Sequence, residues 1–86
     1  MPGWILLLTW TAATHPSLAS YIVRMTQANE WDDGSNSTVA TLTPPQTSLS
    51  TQDGLPTPGS IATFRVFVLL SDTTEAGSNA VTIQRP

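Results

Sequence analysis

Apolar and polar residues alternate with a period of two along several short stretches of this chain, which is typical of β-strands that bury one face. The first stretch runs from Trp4 to Thr11, and its even positions are all apolar. Its odd positions are apolar at Ile5 and Leu7 and polar afterwards. This pattern predicts a strand with one buried face and one face that is only partly covered.

The same alternation predicts further strands, separated by turn residues. The clearest is rich in β-branched and aromatic residues, which favour strands. No helical period competes, so the sequence predicts an all-β, antiparallel sandwich of about six to seven strands in a single domain, residues 1–86. A polar loop is predicted from Ser71 to Ser78. The predicted strands after the first are Ala19 to Gln27, Val39 to Leu42, Thr47 to Thr51, Ile61 to Leu70 and Ala80 to Gln84.

The core is predicted from the inward-facing positions of these strands, together with one leucine that follows a turn. Its members are Leu6, Leu8, Trp10, Tyr21, Val23, Leu55, Phe64, Val66, Val68, Val81 and Ile83.

Composition removes several classes of partner. The net charge of -3 and the small charged fraction of 10% leave no positive surface for nucleic acid or for an anionic membrane. The absence of cysteine excludes disulfides and thiolate metal sites. The apolar run from Trp4 to Leu8 is shorter than the roughly 20 residues of a transmembrane helix. A signal peptide has basic residues before its apolar run, but no Lys or Arg precedes this one. We therefore interpret the run as a strand.

No residue pattern indicates catalysis or a cofactor. His15 is the only histidine, so it lacks partners for a metal site or a catalytic triad. Glu30, Asp32 and Asp33 do not have the ligand spacing of a calcium loop, and a solvated turn is the favoured interpretation. The glycosylation triplet at Asn36 has meaning only in a secreted eukaryotic protein. We therefore expect no enzymatic activity, no metal and no cofactor.

Candidate binding residues lie on the first strand and on the clearest strand. Trp4, Ile5 and Leu7 are expected to contact a protein partner, unless a loop of the same chain covers them. Phe67 and Leu69 face outward by the same alternation and form a possible second contact patch, although single exposed apolar residues are ordinary.

Trp31 is a candidate for ligand binding, because an indole ring can stack on a sugar or on a partner side chain. A Trp that lies over the rim of the sandwich is the alternative interpretation.

Several short motifs follow one another in a characteristic order and spacing. They resemble those of the fibronectin type III family, and the similarity extends from Trp4 to Pro86. The resemblance implies an immunoglobulin-like sandwich. The motifs are Leu8-Thr9-Trp10, Tyr21-Ile22-Val23, Leu55 with Pro58-Gly59-Ser60, Phe64-Arg65-Val66 and Ser78-Asn79-Ala80-Val81-Thr82-Ile83.

The sequence departs from the family in ways that affect its edges. Ala62 stands where the family has a tyrosine that caps a corner, so the corner from Leu55 to Ala62 is expected to be looser or rebuilt. Only Met1-Pro2-Gly3 precedes Trp4, so the family's first strand is expected to be missing. The strand that it pairs with would then have an open, uncharged edge, which is a template for strand addition.

These expectations lead to a function in assembly. The first hypothesis is a non-enzymatic structural protein of a virion, such as a phage capsid decoration or tail accessory, or of a comparable surface assembly. Such a protein would self-assemble or bind a protein partner through its early strand. The alternatives are an extracellular or cell-surface module that recognises a glycan or receptor, and a fragment of a multidomain secreted protein. Fold alone does not decide among them.

Overall fold

Seven β-strands in two antiparallel sheets make up the computed structural model, which describes residues 4–86. This confirms the predicted all-β, antiparallel sandwich. The family's first strand was expected to be missing before Trp4, and Met1 to Gly3 lie outside the described residues. The strands are β1 (Leu6–Thr9), β2 (Leu18–Thr26), β3 (Ser37–Leu42), β4 (Ser48–Thr51), β5 (Ile61–Leu70), β6 (Glu75–Gly77) and β7 (Val81–Gln84).

The smaller sheet contains β1 and β4, and the larger sheet has the order β3-β2-β5-β6, with β7 also paired to β5. β6 and β7 therefore share one side of β5. The pair Val68↔Ala76 belongs to β6, and the pair Phe64↔Val81 belongs to β7. The predicted loop from Ser71 to Ser78 is thus wrong in part, because it contains β6. The sequence gives little sign of β6 because its three residues, Glu-Ala-Gly, are all exposed and show no apolar alternation.

The two sheets bury Val23, Leu55, Ala62 and Phe64 between them. Val81, which was predicted to be in the core, is 48% exposed. Val81 pairs with the buried Phe64, so its side chain points toward the inside of the sandwich. The smaller sheet formed by residues 4–86 has only two strands and does not extend over Val81. Partly buried residues packed against the core are Trp4, Leu6, Leu8, Trp10, Met25, Val39, Leu42, Leu49, Val66 and Ile83.

The corner between β4 and β5 is held by side chains from distant parts of the chain. Nη1 of Arg85 donates to the carbonyl oxygen of Leu55 at 3.0 Å. Nε2 of Gln27 donates to the carbonyl oxygens of Gly54 and Ile61 at 2.6 and 2.7 Å. Leu55 is fully buried at this corner. The corner from Leu55 to Ala62, which was expected to be looser or rebuilt, is thus held by hydrogen bonds from Arg85 and Gln27 to backbone carbonyl groups.

Shortening Leu55 to alanine is expected to destabilise the domain by about 2–5 kcal/mol, because it leaves a cavity at a fully buried site. The matched control is Val81→Ala, which removes methyl groups from a half-exposed side chain and should cost about 1 kcal/mol or less. Urea denaturation of the two variants measures both values. Equal losses would contradict the difference in burial between the two positions.

Candidate functional site

β1 has one paired side and one free side. Its four residues pair with β4, from Leu6↔Thr51 to Thr9↔Ser48. Within residues 4–86 no strand pairs with the other side of β1. Ile5 is 59% exposed and Leu7 is 61% exposed, as the alternation predicted. An apolar outer face thus lies beside unpaired backbone groups, which is the combination that invites a further strand.

Two other strands with a free side, β3 and β4, are more polar on their exposed face, while β6 and β7 expose the smaller apolar side chains of Ala76 and Val81. β4 exposes Ser48 and Ser50, and β3 exposes Thr38 and Thr41. Polar side chains make an edge less attractive to a second chain than large apolar ones do. β1 is therefore the edge strand with the largest exposed apolar side chains next to it.

Trp4 lies in a different environment from Ile5 and Leu7. The guanidinium of Arg85 lies 5.5 Å from the centre of its ring, and the side chain of Gln52 donates a hydrogen bond to its carbonyl oxygen. Trp4 is only partly exposed and packs against the core. The same chain thus covers Trp4 and leaves Ile5 and Leu7 uncovered.

Two grooves open next to β1, between it and the uncovered part of the larger sheet. We call the first the Trp10 groove. It has a volume of about 360 Å³ and is mostly apolar, with a lining that includes Trp10, Tyr21, Val66, Val68 and Ala76. The second, the Leu8 groove, has a volume of about 230 Å³, and its lining includes Leu8, Trp10, Phe64, Val66 and Val81.

Trp10 forms part of both grooves and carries an unusual polar group. Its indole N–H is buried and has no hydrogen-bond partner among the residues that the structure describes. Its ring packs edge-on against Tyr21, with 5.6 Å between ring centres. Leaving a buried donor unsatisfied costs about 1–3 kcal/mol. Trp10 thus leaves one polar group unpaired beside the two grooves.

The outer face of the larger sheet carries a stack of aromatic and arginine side chains. The rings of Trp31 and Phe67 are 5.8 Å apart. The guanidinium of Arg65 lies 5.3 Å from the ring centre of Trp31 and 4.9 Å from that of Phe67. Arg24 lies 4.7 Å from the centre of the Phe67 ring. The structure therefore brings together Trp31 and Phe67, which were predicted as separate candidate sites. Leu69 lies further along β5 and is partly exposed.

Arg24 connects this stack to β6. Its Nη1 lies 2.5 Å from Oε1 of Glu75. Hydrogen bonding to Arg24 lowers the pKa of the Glu75 carboxyl, and the same contact raises the pKa of the Arg24 guanidinium. Alternation along the strands could have placed Arg24, Arg65 and Phe67 on one face, but Glu75 lay in a predicted loop and gave no signal.

The loop between β2 and β3 folds back over this outer face. The hydroxyl of Thr63 donates to the carbonyl oxygen of Ala28 at 2.9 Å and contacts the hydroxyl of Thr82 at 2.8 Å. The indole N–H of Trp31 donates to Asp33 at 2.6 Å. The loop also borders a polar groove of about 360 Å³ that includes Trp31 and Glu30 in its lining.

The acidic residues of this loop make local turn contacts. A carboxylate oxygen of Asp32 accepts from the backbone N–H of Gly34 at 2.8 Å. The amide nitrogen of Asn36 donates to the carbonyl oxygens of Asp32 and Asp33 at 3.1 and 3.0 Å. Among residues 4–86 no group of three or more His, Cys, Asp and Glu side chains has an arrangement that could hold a metal ion. No helix in that range is long and apolar enough to cross a membrane.

His15 lies in the exposed connection after β1. Its Nδ1 accepts a hydrogen bond from the backbone N–H of Ser17 at 3.0 Å. Hydrogen bonds from Thr74 lower the pKa of the nearby Asp72 carboxyl, and the charge of His15 lowers it further. These contacts are those of a surface loop.

Comparison with known proteins gives one informative likeness. No family model and no curated protein matches this chain. The crystal structure of pectate lyase PelI from Erwinia chrysanthemi in complex with tetragalacturonic acid is similar to it, with a TM-score of 0.75 over 95% of this chain at 18% sequence identity. The chain spans about a quarter of the length of that protein, since it covers 25% of it. At this identity the likeness shows the fold alone.

This comparison contradicts the expectation that the chain is not an enzyme. The protein that shares its fold is an enzyme, so the absence of a recognisable catalytic motif in the sequence was insufficient ground for that expectation. The prediction of a non-enzymatic chain was therefore wrong.

Replacing Glu75 with glutamine is expected to lower stability slightly at neutral pH and not at low pH. The folded-state pKa of Glu75 is lowered, so its pairing with Arg24 stabilises the fold above the ordinary carboxyl pKa. That contribution is lost as the pH falls through the lowered pKa. Thermal unfolding of wild type and E75Q, at neutral pH and below about pH 4, measures the difference.

The effect should be small because both side chains are partly exposed to solvent. The control is the same comparison in an Arg24→Gln background, where E75Q should have no pH-dependent effect. A stability difference between wild type and E75Q that is the same at both pH values would rule out the ion pair as its cause.

Proposed function

We propose that this protein is an assembly module that accepts a β-strand from a partner protein along the free side of β1. The observation that carries the proposal is the large exposure of Ile5 and Leu7 beside an edge that is unpaired within residues 4–86. Main-chain hydrogen bonds of an added strand would supply affinity, and burial of the two apolar side chains would add to it. The partner is a protein rather than nucleic acid or an anionic membrane, since the chain is acidic.

The setting that we propose is a surface assembly, such as a virion, in which a fibronectin type III-like domain acts as a small subunit. The strand pairing supports the proposed resemblance to the fibronectin type III family. β1 pairs with β4, and β5 pairs with β2 on one side and with β6 and β7 on the other. The motif order from Leu8 to Ile83 supports the resemblance independently. An extracellular or cell-surface location is compatible with the same binding mode.

Changing both Ile5 and Leu7 to lysine is expected to abolish incorporation of the chain into its native assembly while leaving the fold intact. Charges on an edge strand oppose strand addition, and both positions are exposed, so folding should not suffer. Incorporation is measured by co-sedimentation with the particle or complex isolated from its source. Hydrogen exchange should show the β1 amides protected in the assembly and unprotected in the isolated chain.

The matched control is the double variant Thr41→Lys with Thr43→Lys, which adds the same charge at two other exposed positions. It should assemble as well as wild type. Normal incorporation of the Ile5 and Leu7 double variant would defeat the proposal. So would assembly without added protection of the β1 amides.

A second candidate function is recognition of an acidic oligosaccharide by the Trp31 face. It is favoured by the two guanidinium groups near Trp31 and Phe67. The solved structure that shares the fold was obtained with tetragalacturonic acid, although the likeness itself concerns only the fold.

If this second function holds, Trp31→Ala should abolish binding of tetragalacturonic acid, while Trp31→Phe should retain part of it because an aromatic ring remains. Isothermal titration calorimetry of the wild type and both variants measures this. Absence of binding to the wild-type chain, or equal binding by all three, would exclude the Trp31 face as the site.

A further inference from the structure

We infer that the partner strand carries apolar side chains at two alternate positions, which fill the Trp10 groove and the Leu8 groove. This inference rests on the proposed strand addition at β1 and specifies the chemistry of the strand. It depends on an observation separate from the edge itself, namely the two grooves on the inner side of that edge.

The spacing of the grooves matches the repeat of a β-strand. Val68 lines the Trp10 groove, Phe64 lines the Leu8 groove, and Val66 lies between them and borders both. Neighbouring grooves are thus centred about two residues apart along β5, or roughly 7 Å. A strand paired with β1 turns alternate side chains to the same face, so residues i and i+2 would point into the two grooves.

The inward-facing residues beneath these grooves lack cover. Ala76 pairs with Val68 and Val81 pairs with Phe64, so both face the inside of the sandwich, yet both are exposed. One further strand beside β1 would lie over β6 and β7 and would bury both residues. The Trp10 groove is the larger of the two, with about 360 Å³ against about 230 Å³, so it should take the larger side chain.

The occupant that fits this place is a single strand from a different protein. A second copy of the chain would bring its own β1 together with its own larger sheet. When two β1 strands pair antiparallel, the larger sheets of both copies lie on the same face. The space below the free edge already holds β6 and β7, so the two larger sheets would overlap there. A lone extended segment has no such conflict.

Threonine-rich peptides test the inference directly. The first peptide carries leucine at two alternate positions, and the second carries serine at those positions. NMR titration of the intact chain measures both affinities and shows which amides respond. The leucine peptide should bind at least about tenfold more tightly than the serine peptide, because two apolar side chains become buried.

Two N-methylated forms of the leucine peptide test pairing with β1. Backbone N–H groups of alternate residues in a strand point to the same side. Methylation of one alternate set should therefore abolish binding, and methylation of the other set should be tolerated. Equal binding of the two forms would show that the peptide does not pair as a strand.

The variant Ala76→Trp tests the grooves without changing β1, since its side chain would occupy the Trp10 groove. It should remove most of the preference for leucine over serine. The control Thr41→Trp places the same ring at an exposed position of β3 and should keep the preference.

The outcomes separate the inference from the function on which it rests. If neither peptide perturbs the β1 amides, strand addition itself is refuted. If both peptides bind β1 equally well, strand addition stands and filling of the grooves is refuted. If the preference for leucine over serine persists in the Ala76→Trp variant, filling of the grooves is also refuted. Closure of the edge by an upstream segment of a longer natural chain, seen when that segment is appended and displaces the peptide, would overturn the assignment to a partner protein.

Discussion

The five strands of the larger sheet occupy four positions side by side, because β6 and β7 share one side of β5, and only two strands cover them. In a sandwich each sheet buries its inner face against the other, so an unequal width leaves part of one face open. Here the open part lies over β6 and β7. The exposure of Val81, the grooves beside Trp10 and the free side of β1 are three consequences of this one mismatch.

All three arginines of the described chain are used within it, and each lies over an aromatic ring. Arg24 and Arg65 hold the outer face of the larger sheet, where they flank Phe67. Arg85 fixes the corner at Leu55 and covers Trp4. A chain with few charges thus uses its cations to anchor loops and strand ends, where apolar packing is thin. This arrangement leaves the β1 edge without a positive or negative charge of its own.

Part of an enzyme shares the fold of this chain, so the absence of recognisable catalytic motifs does not show that the chain lacks activity. Function belongs to sites that are built on folds, and similar folds can support unlike activities. In this chain the proposed function rests on an edge and on the grooves beside it. They come from incomplete coverage of the core.

The sequence by itself determined the strands with strong alternation and the direction of their side chains. β5 begins at Ile61 and ends at Leu70 as predicted, and Ile5 and Leu7 face solvent as their positions required. Such features depend on neighbours along the chain, because alternate residues of a strand point to opposite faces whatever the strand pairs with.

Only the tertiary structure decided which inward-facing residues are covered and which distant groups meet. Val81 faces inward yet remains exposed, β6 forms because β5 offers it a partner, and Arg85 reaches the corner that Ala62 cannot cap. The pairing of Arg24 with Glu75 joins residues that are far apart in sequence. Alternation gives the face of a side chain but not the element opposite it, and burial depends on that element.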